Sequence, residues 1–168
     1  MDPRIKKVPI HIGWYIAGFI DGEGSFTCRI KKLKIKDRKM DYKVDLVFSV
    51  CQKEKHIIAL IRRYLGCGIV YQRNDGAWCL EVNNLNALKE IVIPFFNKFK
   101  FLSASKKRAF SIFKKLVEMK INKYHLSREG LIEIIKLREK LNENKGRKKT
   151  YQLADILRDL TPDSQEGS

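Results

Sequence analysis

The stretch WYIAGFIDGEGSF, residues 14–26, decides how this chain is read. Its apolar content predicts a buried helix that starts after Pro9 and runs to about Asp21. Two features oppose a plain helix. Gly18, Gly22 and Gly24 each weaken one. Asp21 and Glu23 stand at its C-terminal end, where the macrodipole disfavours negative charge. Small residues also recur four apart, Gly13 with Ala17 and Gly18 with Gly22. Such a stripe lets a second helix approach closely. Ile16, Phe19 and Ile20 are left for the domain's own core. One helix of this kind needs a partner, and two copies about a two-fold axis supply it. The expected dimer interface is Gly13, Ala17, Gly18, Asp21 and Gly22.

Outward from the helix the apolar period changes to two. In residues 25–35, Phe26, Cys28 and Ile30 share one face, while Ser25, Thr27, Arg29, Lys31 and Leu33 share the other. After the polar turn KDRKMD, residues 42–51 alternate again. Val44, Leu46, Phe48 and Val50 face in; Lys43, Asp45, Val47 and Ser49 face out. These two strands make a long hairpin. A helix over residues 53–65 spaces Ile57, Leu60, Ile61 and Tyr64 and stops at Gly66. A second hairpin pairs IVYQR with AWCLEVN through NDG. Its outward positions are Tyr71 and Arg73, then Ala77, Cys79, Glu81 and Asn83.

Further helices are expected at residues 85–98, crossed by Pro94, at 104–120, and from Arg128 to Asn142 with Ser127 as N-cap. The basic loop NENKGRKKT and a short helix at 151–159 follow. The expected organisation is one domain over residues 1–160 and a disordered tail, TPDSQEGS, ending the chain. The fold class is therefore α+β, in the order α-β-β-α-β-β-α with extra C-terminal helices. Helices cover one face of an antiparallel sheet, and the other face is polar and basic.

The chain has 168 residues, 44% hydrophobic, enough for one domain with a real core. It carries 35 Lys and Arg against 19 Asp and Glu, a net charge of +16. That balance points to a polyanion, nucleic acid ahead of membrane. No apolar run reaches membrane-span length. The opening residues lack the apolar core and cleavage site of a secretory signal, so an intracellular protein is expected, in cytoplasm, nucleoid or organelle. Cys28, Cys51, Cys67 and Cys79 show no CxxC spacing and read as reduced packing residues.

YIAGFIDGEG, residues 15–24, resembles the motif of the LAGLIDADG homing endonucleases. The α-β-β-α-β-β-α order matches that family as well. So do the later segments IPFFNKF, LSASKKRAF and NKYHLSREGLIEIIKLREKLN, and the resemblance spans about residues 10–145. It implies that Glu23 is the catalytic acid and a metal ligand, with the Gly22 carbonyl as second ligand. Carbonyls at a helix C-terminus and clustered carboxylates attract a hard divalent cation, here Mg²⁺ with Mn²⁺ as possible substitute. The resemblance also implies that Gln52 orders the attacking water. It implies that Lys106 stabilises the charge of the pentavalent phosphate, with Lys107 next door.

The outward strand residues are then the expected base readers. Lys32, Lys34, Lys36, Lys145, Lys148 and Lys149 are the expected phosphate contacts. The implied function is a homodimeric endonuclease that cuts double-stranded DNA at a long, near-palindromic site and promotes intron mobility. No small-molecule substrate is expected. An RNA maturase or a non-cleaving DNA-binding regulator of the same fold is the alternative, since a basic face serves either.

Overall fold

A computed structural model of the chain describes residues 3–32 and 42–141. The expected turn KDRKMD, the basic loop, the helix at 151–159 and the tail lie outside the described residues. So do Leu33, Lys34, Lys36, Lys145, Lys148 and Lys149.

A short helix, α1 (Pro3–Lys6), precedes the motif helix α2 (Ile10–Glu23). Pro9 stands at the N-cap of α2, where the missing N–H costs nothing. No loop separates α2 from the first strand. Gly24 turns straight into extended backbone while its N–H still donates to the Ile20 carbonyl. A side chain at Gly24 would place its Cβ 2.4 Å from Ile20 Cγ2 and 2.7 Å from the Ile20 carbonyl oxygen. The abrupt switch from helix to strand therefore requires glycine there.

The strands are β1 (Gly24–Lys32), β2 (Tyr42–Gln52), β3 (Ile69–Gln72) and β4 (Trp78–Val82). They form one antiparallel sheet in the order β1-β2-β4-β3. Gly24 lies opposite Val50, and Gln52 opposite Trp78. Between the hairpins runs α3 (Lys55–Leu65), ended by left-handed Gly66. Its core face is Ile58, Ile61 and Leu65, with Ile57, Leu60 and Tyr64 only partly buried. The expected face is thus rotated by about one residue.

The expected helix at 85–98 is one helical run in three parts: α4 (Leu85–Ala87), a π segment (Leu88–Val92) and α5 (Ile93–Lys98). Pro94 cannot donate to the preceding turn, and the wider turn before it absorbs the mismatch. Then come α6 (Ala104–Ile121) and α7 (Arg128–Leu141). Ser127 caps α7 as expected, its Oγ accepting from Gly130 N at 3.1 Å.

The inward residues of β1, β2 and β4 meet these helices in an aromatic core. Phe26 is its hub, with ring centroids 5.0 Å from Phe113, 5.4 Å from Phe110 and 5.5 Å from Phe48. Phe96 and Phe101 stack at 4.7 Å beside it. Offset and edge contacts of this kind add about 0.5–1.5 kcal/mol each beyond the area they bury.

The cysteines need a correction. Cys28 and Cys67 are buried thiols, as expected, but Cys51 and Cys79 form a disulfide. Burial pushes the Cys28 thiol up to about 12. The register of β2 on β4 sets Cys51 directly opposite Cys79 on the outward face. Their spacing in sequence carries no trace of that pairing.

Candidate active site and nucleic-acid interface

The motif helix divides its residues between two faces. Gly13, Ile16, Ala17 and Ile20 are buried. Gly13 packs against its own chain: a Cβ there would lie 2.2 Å from the Phe99 ring. Gly13 and Ala17 therefore belong to the core and not to a dimer interface. The opposite face is open. Trp14 and Tyr15 are 46% and 48% exposed, and a Cβ at Gly18 or Gly22 would meet nothing within 4 Å. The i,i+4 stripe expected as one surface is thus split, and only Gly18 and Gly22 remain available to a second helix.

Asp21 also serves its own chain. Its carboxylate accepts from Leu102 N and Ser103 N, both at 2.9 Å, and from the Ser103 hydroxyl. Partial burial raises the Asp21 pKa, but these bonds and the nearby Lys106 charge outweigh it and hold the carboxyl below its usual 3.8. The acid that looks misplaced at the C-terminus of α2 thus sits at the N-terminus of α6, where negative charge is favoured.

Glu23 is the exposed last residue of α2. Three elements bring polar groups to this rim of the sheet. Gln52 ends β2, two residues past the partner of Gly24, with its Oε1 accepting from Lys53 N at 2.7 Å. Lys106, in the first turn of α6, donates from Nζ to the Gly24 carbonyl. Lys107 is exposed on the same turn, so Lys106 is the lysine that reaches the end of the motif helix. Ser103 went unnoticed in the sequence reading. It caps α6 by accepting from Lys106 N at 3.2 Å, and its place before the apolar period of α6 was the available signal.

The outward sheet face carries Ser25, Thr27, Arg29, Lys31, Lys43, Asp45, Ser49, Tyr71 and Glu81, all at least partly accessible. Arg73 and Ala77 flank the β3–β4 turn, where Arg73 pairs with Asp75 at 2.9 Å. Asn83 follows β4 and is exposed. Two expected base readers are corrected. Val47 is 1% exposed and Cys79 0%, although both point outward. Arg29, opposite Asp45, reaches Glu81, opposite Ser49, at 3.5 Å. That pair crosses the strand at the level of Val47 and covers it. Cys79 is closed off by its bond to Cys51 and by Tyr71 opposite it. Lys43 is paired as well, with Asp45 at 3.3 Å.

Comparison with known proteins fixes the family. Residues 16–117 match the LAGLIDADG endonuclease family. The chain belongs to it. A probable intron-encoded endonuclease of Neurospora crassa is 31% identical over 149 residues, covering 82% of this chain and 32% of the relative. The archaeal intron-encoded homing endonuclease I-Vdi141I, solved in complex with DNA, superposes with a TM-score of 0.79 at 31% identity, covering 88% of this chain and 93% of that one. I-SmaMI, solved on uncleaved DNA target with calcium ions, gives 0.72 at 28% identity, covering 78% of this chain but 45% of its own. The chain thus spans about a third of its Neurospora relative and nearly half of I-SmaMI.

In this LAGLIDADG chain the donors at the rim are hard oxygens, the Glu23 carboxylate and the C-terminal carbonyls of α2. That set suits Mg²⁺ or a similar ion and not a soft metal. Among the described residues no group of three or more His, Cys, Asp or Glu side chains gathers to hold a metal alone. No described helix is long and apolar enough to cross a membrane.

Proposed function

We propose that the protein is a homing endonuclease: a homodimer that makes a metal-dependent double-strand break in a long, near-palindromic DNA site and so promotes intron mobility. The observation that carries this reading is Lys106 Nζ on the Gly24 carbonyl, which brings a cation beside the exposed acid Glu23 at the edge of a basic sheet. A pure binding protein needs no such arrangement.

Each sheet reads one half-site through Ser25, Thr27, Arg29, Lys31, Lys43, Asp45, Ser49, Tyr71, Arg73, Ala77, Glu81 and Asn83. Arg suits guanine and Glu suits cytosine, at about 1–3 kcal/mol of discrimination per good contact. The two copies meet through Gly18 and Gly22, which sets the two Glu23 side chains side by side. Glu23 and the Gly22 carbonyl would hold Mg²⁺, or Mn²⁺ in its place, and the bound ion would supply Lewis-acid stabilisation of the phosphoryl oxygen and lower the pKa of a water. Gln52 orders the attacking water, and Lys106 meets the negative charge that grows on the phosphate.

Sequencing the ends produced from a randomised duplex library, with Mg²⁺ or with Ca²⁺, tests this directly. Discrete near-palindromic ends in Mg²⁺, lost in Glu23→Gln while DNA binding in Ca²⁺ persists, are expected. Sequence-selective binding with no ends in Mg²⁺ or Mn²⁺ overturns the nuclease and leaves a regulator. Tight binding to structured intron RNA with every duplex uncut points to a maturase.

A further inference from the structure

We propose that Asp21 is a positioning residue that holds Lys106 at the Glu23 end of the motif helix. The inference rests on the catalytic role proposed for Lys106. The last turn of α2 and the first turn of α6 are joined by a closed ring of contacts. Asp21 receives the Ser103 hydroxyl. Ser103 Oγ receives Lys106 N at 3.2 Å. Lys106 Nζ returns to the carbonyl of Gly24, three residues beyond Asp21. The two backbone bonds from Leu102 and Ser103 to Asp21, each 2.9 Å, fix where α6 begins.

The geometry has a mechanical consequence. A lysine side chain has four rotatable bonds and, unguided, spreads its ammonium over several ångströms. Here both ends of that side chain are tied to the same turn of α2. Its backbone is tied through Ser103 and Asp21, and its ammonium through Gly24. The ring thus couples the position of α6 to that of Glu23, whose own backbone lies between Asp21 and Gly24. Removing Asp21 leaves Lys106 chemically intact but unanchored at its base. Small misplacements of a catalytic group cost large factors in rate.

The test compares Asp21→Ala, Asp21→Asn, Ser103→Ala and Lys106→Met in the full-length protein. Two readouts are needed. The first is reductive methylation with peptide mass mapping, which reports how freely the Lys106 amine moves. The second is single-turnover cleavage in Mg²⁺ beside DNA affinity in Ca²⁺. Asp21→Ala should raise the Lys106 modification rate several-fold and slow cleavage at least about tenfold, with affinity changed by less than about threefold. Ser103→Ala should do the same more weakly. Asp21→Asn keeps an acceptor for the backbone N–H groups and should recover part of the rate. Asp21→Ala added to Lys106→Met should cost nothing further.

Unchanged Lys106 reactivity in Asp21→Ala overturns the inference, as does a full additive loss in the double variant. If Asp21→Ala does not fold, Asp21→Asn and Ser103→Ala decide through the same two readouts. If Lys106→Met cleaves at the wild-type rate, the role given to Lys106 fails, while the methylation result still decides whether Asp21 holds it in place.

Discussion

Gly13 and Gly18 stand on the same helix, and alanine at each should act in opposite directions. At Gly13 the added Cβ would lie 2.2, 2.3 and 2.5 Å from three atoms of the Phe99 ring. Ordinary carbon contacts are about 3.5–4.0 Å, so the ring must retreat by more than an ångström. It has little room, being 2% exposed and packed on Phe95 at 5.1 Å. Overpacking costs up to about 3 kcal/mol, and better helix propensity returns about 1, leaving a net loss near 2 kcal/mol. At Gly18 the Cβ meets nothing within 4 Å. Only the propensity gain remains, about 1 kcal/mol in favour of the fold. The two variants should then differ by about 3 kcal/mol, or some 6–12 °C in Tm for a chain of this size.

Urea unfolding followed by circular dichroism at two protein concentrations separates the fold from assembly, because self-association makes apparent stability depend on concentration. For Gly18→Ala the monomer should be more stable while the dimer is weaker. A methyl inserted once per copy at a cost of about 1 kcal/mol each weakens the dimer about 30-fold by sedimentation. Equal stability of the two alanine variants, or a destabilised Gly18→Ala monomer, would refute the assignment of the two faces.

His125 offers a pH test. Its Nδ1 is buried with no hydrogen-bond partner among the described residues, and burial, helped by the Lys120 charge, lowers its pKa below the ordinary 6.5. The unfolded chain then binds a proton that the folded one refuses, so stability falls as pH drops below 6.5 and stops falling below the folded pKa. His125→Gln should flatten that part of the Tm-against-pH curve, as scanning calorimetry would show. Ser127→Ala removes the cap of α7 and should cost about 1 kcal/mol, read by urea unfolding. Arg29→Ala should leave Tm within about 2–4 °C, since exposed ion pairs are worth at most about 1 kcal/mol. It frees Glu81 and uncovers Val47, so binding-site selection should show changed preference at one or two adjacent base pairs.

What the sequence made legible was local. Strand alternation in residues 25–31 and 43–50, the NDG turn, the stop at Gly66 and the cap at Ser127 all follow from the chemistry of neighbouring residues. What it hid depends on partners far along the chain. Gly13 looks like part of an interhelical stripe until Phe99, folded back from α5, takes up the space beside it. Val47 and Cys79 have the parity of exposed residues, and parity cannot say what lies above them. An ion pair between the two neighbouring strands, Arg29 with Glu81, crosses above the one, and a disulfide closes off the other. The candidate site shows the same division. The broken helix-end rule marked Asp21 and Glu23 alike and only the family resemblance separated them, while the reach of Lys106, and not Lys107, to the Gly24 carbonyl shows only in the position of α6.

The two carboxylates of the motif now have separate explanations. Both offend the C-terminal dipole of α2, but they are not equivalent. Asp21 is compensated within the chain by the N-terminus of α6 and the Ser103 hydroxyl, so its charge is structural. Among the described residues no side chain pairs with Glu23, which stays exposed at a helix end that repels it. At such a helix end an exposed carboxylate costs the fold about 0.3–1 kcal/mol, a cost that a bound cation would relieve. Two such ends brought together by a two-fold axis would repel more strongly still. A dimer through Gly18 and Gly22 should therefore tighten when a divalent cation is added, and Glu23→Gln should remove that dependence. Sedimentation with and without Ca²⁺ measures it. A wild-type dimer indifferent to the ion would show that the charge at Glu23 is relieved some other way.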